Sequence, residues 1–476
     1  MSFKSWSFLF FFALVFLVHH RLPERFRWVW LLLASYIFYM GAHPAYAILL
    51  ASSTLLSFGF GLKIEKSTPP YKARWLALSI GLQLSLLLCF KYLAFAINIL
   101  NMVTPWSLPV WKWVLPVGIS FYTFQALSYT IDVYREDIPA TRDLGRFALY
   151  ISFFPQLVAG PIERATRILP QLQKFLEWDE ALIRRGLRLM LAGFFLKIFI
   201  ADQIGAVVNP IYKSAAMVES PSLILATVFF AFQIYCDFAG YSLIAIGAAS
   251  TLGVRLTINF NRPYLAASVA EFWRRWHITL STWFRDYVYI SLGGNRVHVR
   301  RLYLNLFVVF ALSGLWHGAK WTFVVWGVLH GVFMIVGHAT QSFRQRAAST
   351  FRLDTFPRVL RLFRVFVTFV LVCVGWVFFR ADNLDVAMYI LFHLFDDLSL
   401  QAWMEAFNRL YSFPFVLCCL SIVGLWVFDA CTDGVKTEDT FAKWPVVLRW
   451  SVYLLALLLI FFWGAFHQEP FIYFQF

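Results

Sequence analysis

Apolar runs long enough to cross a lipid bilayer recur along almost the whole chain, and few folds accommodate that. A spanning helix needs about 20 predominantly apolar residues. Trp28–Leu62 runs 35 residues without a formal charge, broken by the turn Gly41-Ala42-His43-Pro44, and reads as two helices. Trp6–Val18, Trp75–Leu100, Trp113–Ile131, Leu189–Ile204, Leu223–Leu252, Leu302–Phe343 (broken near its middle), Val365–Phe379, Leu410–Phe428 and Trp450–Trp463 continue the pattern. Bulky Phe and Leu dominate the first of these, and no small-residue cleavage site precedes Arg21–Arg27, so it reads as a membrane helix rather than a signal peptide. Phe147–Pro161 is short and holds Pro155 and Gly160-Pro161, so it is expected to enter the membrane and return. The expected fold is therefore an all-α polytopic membrane protein of roughly ten to twelve transmembrane helices with re-entrant segments. Residues 1–476 are expected to form a single membrane-embedded domain.

Only 14% of residues are charged, against about 25% in a soluble chain. That excludes an ordinary cytosolic enzyme, a disordered protein and a nucleic-acid-binding module. The net charge of +15 fits basic residues gathered in cytoplasmic loops. Lys63–Arg74 balances to +3, Gly253–Arg301 to +6 and Ala339–Val365 to +5, whereas Arg380–Leu410 balances to −3. The first three are expected on the cytoplasmic side and 380–410 on the outer side, which leaves both termini outside. The six cysteines form no CxxC pair and read as small apolar residues rather than a metal site or disulfide framework.

Ionisable residues inside apolar segments are costly and mark candidate sites. His317, in Leu312-Ser313-Gly314-Leu315-Trp316-His317-Gly318-Ala319, lies between two apolar arms whose outer flanks are both basic. The segment must hairpin or cross twice, and its arms are short enough to turn inside the membrane, which would set an imidazole deep in the bundle. Such a group suits proton removal from a hydroxyl nucleophile; the plainer reading is a packing histidine. His277 follows the aromatic and basic stretch Glu271-Phe272-Trp273-Arg274-Arg275-Trp276, whose plainer reading is an interfacial helix. His330 and His338 read as packing residues, Asp237 as a carboxylate braced by a buried base or hydroxyl, and Lys91, Lys197 and Lys320 as snorkelling or paired. The sequence has no Walker loop, GxSxG elbow, HExxH or zinc-type Cys/His spacing, so no metal is expected.

Val117–Gln125, Phe154–Ile162, Phe272–Arg296, Ser313–Gly331 and the terminal Phe471-Ile472-Tyr473-Phe474-Gln475-Phe476 resemble the membrane-bound O-acyltransferase superfamily. The branch most resembled contains the alginate, peptidoglycan and cellulose acetylation proteins, with the teichoic acid D-alanyl transfer protein more distant. The resemblance implies helices around a central funnel, with His317 at the position of the family's catalytic histidine and His277 at that of its second characteristic histidine. One departure is Leu243 after Gly240-Tyr241-Ser242, where relatives commonly carry aspartate.

The expected function is an acyltransferase of the bacterial inner membrane, passing acetyl from cytoplasmic acetyl-CoA toward an exported polysaccharide. No cofactor is expected to be bound permanently. Arg274, Arg275, Arg285 and Arg296 are candidates for the donor's phosphates, or serve topology alone. Expected partners are the lipid bilayer, the acyl donor and an extracytoplasmic acetyltransferase or esterase-like protein; nucleic acid is not one. The alternatives are a transporter or channel that does no chemistry, and an acyltransferase acting on lipid or protein.

Overall fold

A computed structural model describes residues 3–41, 43–110, 114–158, 160–175, 178–432, 443–466 and 471–472. Trp113, Ala159 and Tyr473–Phe476, which the motifs above include, lie outside them. The chain is all-α, as expected. Among the described residues, nine helices are long and apolar enough to cross a membrane, and shorter apolar helices cover Trp6–Arg21, Leu93–Val103 and Leu384–His393. The chain divides into two compact units, residues 1–193 with 241–258, and residues 194–240 with 259–476.

The first unit contains α1 (Trp6–Arg21), α2 (Glu24–Met40), α3 (Tyr46–Lys66), α4 (Tyr71–Lys91), α5 (Leu93–Val103), α6 (Ile119–Arg135), α7 (Leu144–Ser152), α8 (Phe154–Leu157), α9 (Ala165–Gln173) and most of α10 (Glu180–Phe194). The run read as Trp75–Leu100 is broken at Tyr92 into α4 and α5. Helices α3, α4 and α6 pack together, and α6 is buried on nearly every face. It starts after Gly118 at φ 76°, where a Cβ would stand 2.5 Å from the Leu157 carbonyl oxygen, so glycine is required there twice over. The segment expected to be re-entrant is interrupted at Phe153, between α7 and α8. Side chains satisfy its backbone: Gln156 Nε2 donates to the Tyr150 carbonyl at 2.6 Å, and the Tyr150 hydroxyl reaches the Gln125 and Glu163 carbonyls.

The second unit begins with a π-helical turn, Phe195–Ala201, which continues α10 into α11 (Asp202–Lys213). Helix α12 (Ser220–Thr251) contributes residues to both units. It is hydrophobic all round, and 83% of its apolar window is buried, so it is a core helix. Then come α13 (Val269–Arg275), α14 (Ile278–Phe284), α15 (Val299–His317), α16 (Trp321–Ala339), α17 (Gln341–Thr350), α18 (Pro357–Arg380), α19 (Leu384–His393), α20 (Leu400–Leu410), α21 (Phe413–Cys431) and α22 (Val446–Trp463). In α22 the apolar side chains are mostly exposed, with Ile460 the buried one among them.

Helices α15 and α16 form the expected hairpin, each 19 residues long. At 1.5 Å per residue that is about 28 Å, close to the hydrocarbon thickness. Their backbones meet at two glycines: a Cβ on Gly314 would strike the Phe323 carbonyl, and one on Gly327 the Phe310 carbonyl. Helix α18 starts at Pro357, earlier than the expected Val365, because proline is suited to the first helical turn and Arg358, Arg361 and Arg364 are good helix formers. Of the cysteines, Cys236, Cys373 and Cys418 are buried as expected, whereas Cys89 and Cys431 are exposed.

Candidate functional site

His317 is the last residue of α15, and Gly318 ends the helix in an extended conformation. The imidazole is 4% exposed and sits in an aromatic box. Trp316 and Trp326 each lie 4.9 Å from its centroid and Phe379 lies 5.2 Å away, all edge-on. Trp326 comes from α16 and Phe379 from α18, so three helices fix the ring. A Cβ on Gly318 would collide with the Phe323 ring, so this glycine lets the chain leave the helix against α16.

His277 joins α13 to α14 and is fully buried. Its φ of 41° is left-handed, a strained state for a residue with a side chain. The surroundings impose it. Ile278 N–H donates to the Asn259 carbonyl at 2.9 Å, and Asn261 N–H donates to the Arg275 carbonyl at 2.9 Å. Asn259 Oδ1 accepts the Thr279 N–H at 3.2 Å and its hydroxyl at 2.6 Å. His277 Nδ1 stands 3.4 Å from the same oxygen. Because a backbone N–H identifies that atom as an acceptor, Nδ1 must carry the hydrogen, and Nε2 keeps its lone pair. Burial pushes the imidazole pKa down to about 3, so it is neutral at physiological pH.

The two predicted histidines come together through one side chain. The Trp316 ring lies 4.9 Å from His317 and 6.1 Å from His277. Phe238 of α12 also packs on His277, at 4.6 Å and edge-on. His330 packs behind the site: Trp273 Nε1 donates to its Nδ1 at 3.3 Å, and its ring lies 5.0 Å from Trp326. Gly375 of α18 makes room for it, since a Cβ there would stand 2.7 Å from His330 Nε2. His338, by contrast, is exposed.

The four arginines are placed differently. Arg275 pairs with Glu271 at 2.6 Å and donates to the Arg262 carbonyl at 3.4 Å, and Arg285 pairs with Asp286 at 2.6 Å. Arg274 and Arg296 are exposed. The turn before Arg296 has Gly293 and Gly294 at φ 100° and 57°, and Asn305 Nδ2 ties it to α15 through the Leu292 and Gly294 carbonyls. Among the described residues, no three His, Cys, Asp or Glu side chains converge as a metal site would require.

Asn259, Trp316, Trp326 and Phe238 were not singled out from the sequence. The aromatic residues are indistinguishable there from the chain's many other Phe and Trp, and nothing local ties Asn259 to His277.

A profile of the MBOAT, membrane-bound O-acyltransferase family matches residues 135–379, which contain both histidines and Asn259. The chain is 40% identical over 417 residues to a probable alginate O-acetylase of Azotobacter vinelandii, covering 84% of this chain and 80% of that protein. It is 36% identical over 396 residues to a peptidoglycan O-acetyltransferase of Helicobacter pylori, covering 76% and 72%. A teichoic acid D-alanyltransferase of Streptococcus thermophilus is 31% identical over 240 residues, covering 47% and 57%.

Proposed function

The chain belongs to the membrane-bound O-acyltransferase family, and from that premise we propose that it transfers acetyl from acetyl-CoA at the cytoplasmic side toward an exported polysaccharide. Family membership favours acyl transfer over transport without chemistry. Acetyl is favoured over D-alanyl because the acetylating relatives match more of the chain at higher identity.

The observation that carries the reading is the pair of buried imidazoles that both contact Trp316. In the proposed reaction His317 takes the proton of the acceptor hydroxyl as its oxygen attacks the thioester carbonyl. The carbon–sulfur bond breaks, the acetyl ester forms, and the thiolate leaves on coenzyme A. His277, neutral and held by Asn259, offers its Nε2 lone pair to orient the acceptor hydroxyl. Arg274 and Arg296 are the better placed of the four arginines to receive donor phosphates, because Arg275 and Arg285 already pair with carboxylates. We further propose that residues 1–476 act as one acyltransferase domain in the inner membrane, with both termini and 380–410 outside. An extracytoplasmic transferase would carry the acetyl onward.

The test is purified protein in lipid nanodiscs with radiolabelled acetyl-CoA and a hydroxyl acceptor. Acetyl ester formation that disappears in His317→Gln supports the proposal; donor turnover unaffected by that substitution removes His317 from it.

A further inference from the structure

The second unit holds a charged cluster that the chemistry above does not use. Lys197 Nζ lies 2.6 Å from Asp202 Oδ1 and 2.5 Å from Asp237 Oδ1, and the three side chains are 1%, 2% and 5% exposed. Two carboxylates and an ammonium removed from water are costly, and well-packed apolar side chains of similar volume are often at least as stable. The backbone is shaped around the cluster. Residues five apart lie on different faces of an α-helix, whereas a π-turn, bonded i to i+5, brings them into line. The π-turn Phe195–Ala201 does this for Lys197 and Asp202, and Asp202 N–H donates to the Lys197 carbonyl.

Asp237 connects the cluster to the histidine site. Its Oδ2 accepts the Ile472 N–H at 2.8 Å, so the two oxygens hold two different segments. The next residue, Phe238, meets His277 at 4.6 Å and Phe471 at 5.7 Å. Phe471 and Ile472 are both buried. A run of contacts thus leads from Lys197 through Asp237 to the Phe238 ring against His277, and Phe471 packs on the same ring.

We propose that Lys197, Asp202 and Asp237 are positioning residues for acyl transfer. Lys197, aligned by the π-turn and shared with Asp202, fixes the Asp237 carboxylate. Asp237 in turn sets the depth of Phe238 against His277 and clamps the 471–472 segment. The inference rests on the acyl-transfer reading of the histidine pair.

The experiment compares wild type, Asp237→Asn, Lys197→Met and Ile472→Pro in nanodiscs. It records kcat and donor KM per correctly assembled molecule, thermal stability, and amide exchange at Ile472. Misplacing a group at a reacting centre by a fraction of an ångström is expected to lower kcat about 10- to 100-fold, with donor KM changed less than about threefold because donor contacts are untouched. Wild type should protect the Ile472 amide, and Lys197→Met should lose that protection. A wild-type kcat in assembled Asp237→Asn and Lys197→Met, at any thermal stability, overturns the proposal. Should neither assemble, Ile472→Pro decides: it removes the donor to Asp237 while leaving all three charged side chains in place, and an unchanged kcat overturns the clamp. If wild type transfers no acyl group, the acyl-transfer reading falls instead. Exchange at Ile472 then judges the network alone, and an unprotected amide in wild type overturns it.

Discussion

Glutamine at position 317 keeps a hydrogen-bonding side chain but has no nitrogen able to take a proton. His317→Gln is therefore expected to lower turnover per assembled molecule about 10²–10⁴-fold with little change in thermal stability. His338→Ala, an exposed site at the end of α16, is the control for disturbing the same hairpin. Asn259→Ala tests the other imidazole. It strips an acceptor from the Thr279 N–H, the Thr279 hydroxyl and His277 Nδ1, at a cost of about 1–3 kcal/mol for buried donors left unsatisfied. Its kcat should fall more than its KM rises, because the tautomer of His277 is no longer imposed. Proton linkage gives a further check on His277. Its folded pKa, about 3, lies below the ordinary 6.5, so the unfolded chain binds the proton more readily. The stability contributed is complete above 6.5 and is lost as pH falls toward 3. Acid melting curves of His277→Gln should be flatter across that window than wild type. His317 stood out in the sequence as an ionisable group between apolar runs, whereas His277, beside an aromatic and basic stretch, was singled out through the family resemblance. The shared Trp316 and the Asn259 anchor were not, since both depend on side chains brought together from segments apart in the chain.

The hairpin of α15 and α16 depends on backbones meeting at Gly314 and Gly327. Gly327→Val would drive its branched carbon into the Phe310 carbonyl, a rigid neighbour, and overpacking of this kind costs about 1–3 kcal/mol. A lower unfolding temperature is expected, together with lost turnover, because Trp326 beside it forms part of the box around His317. Gly337→Val on the same helix meets nothing within 4 Å and should be near neutral. The hairpin itself was readable, from two apolar arms around a Gly-rich break with basic flanks. The ends of elements were less so. The early start of α18 was hidden because its arginines read as loop charge, although arginine extends a helix well. Nothing in Phe195–Ala201 announces a π-turn, which brings Lys197 beside a carboxylate five residues on.

Across the whole molecule, the charge balance of the connections predicts which side each faces. Single cysteines near Lys66 and Arg346 should react with a membrane-impermeant maleimide only from the cytoplasm, and one near Asp396 only from outside; labelling of the Lys66 and Asp396 sites from one face would refute that orientation. All-α architecture and multiple spans were legible because hydrocarbon permits so little else, whereas the division into two units depends on contacts between helices distant in sequence. The buried cluster also bears on how the chain enters a bilayer. A lysine or aspartate at the centre of a span raises its insertion cost by about 2.5–3.5 kcal/mol, and Glu180–Lys213 carries both Lys197 and Asp202. Because the π-turn pairs them within one segment, that helix can leave the translocon already neutralised, without waiting for a partner. Asp237 then arrives on α12 to a lysine already in place, and Ile472, made much later, joins last. Biogenesis of this half of the protein thus has a built-in order, in which Asp202 and then Asp237 each meet a lysine synthesised before them.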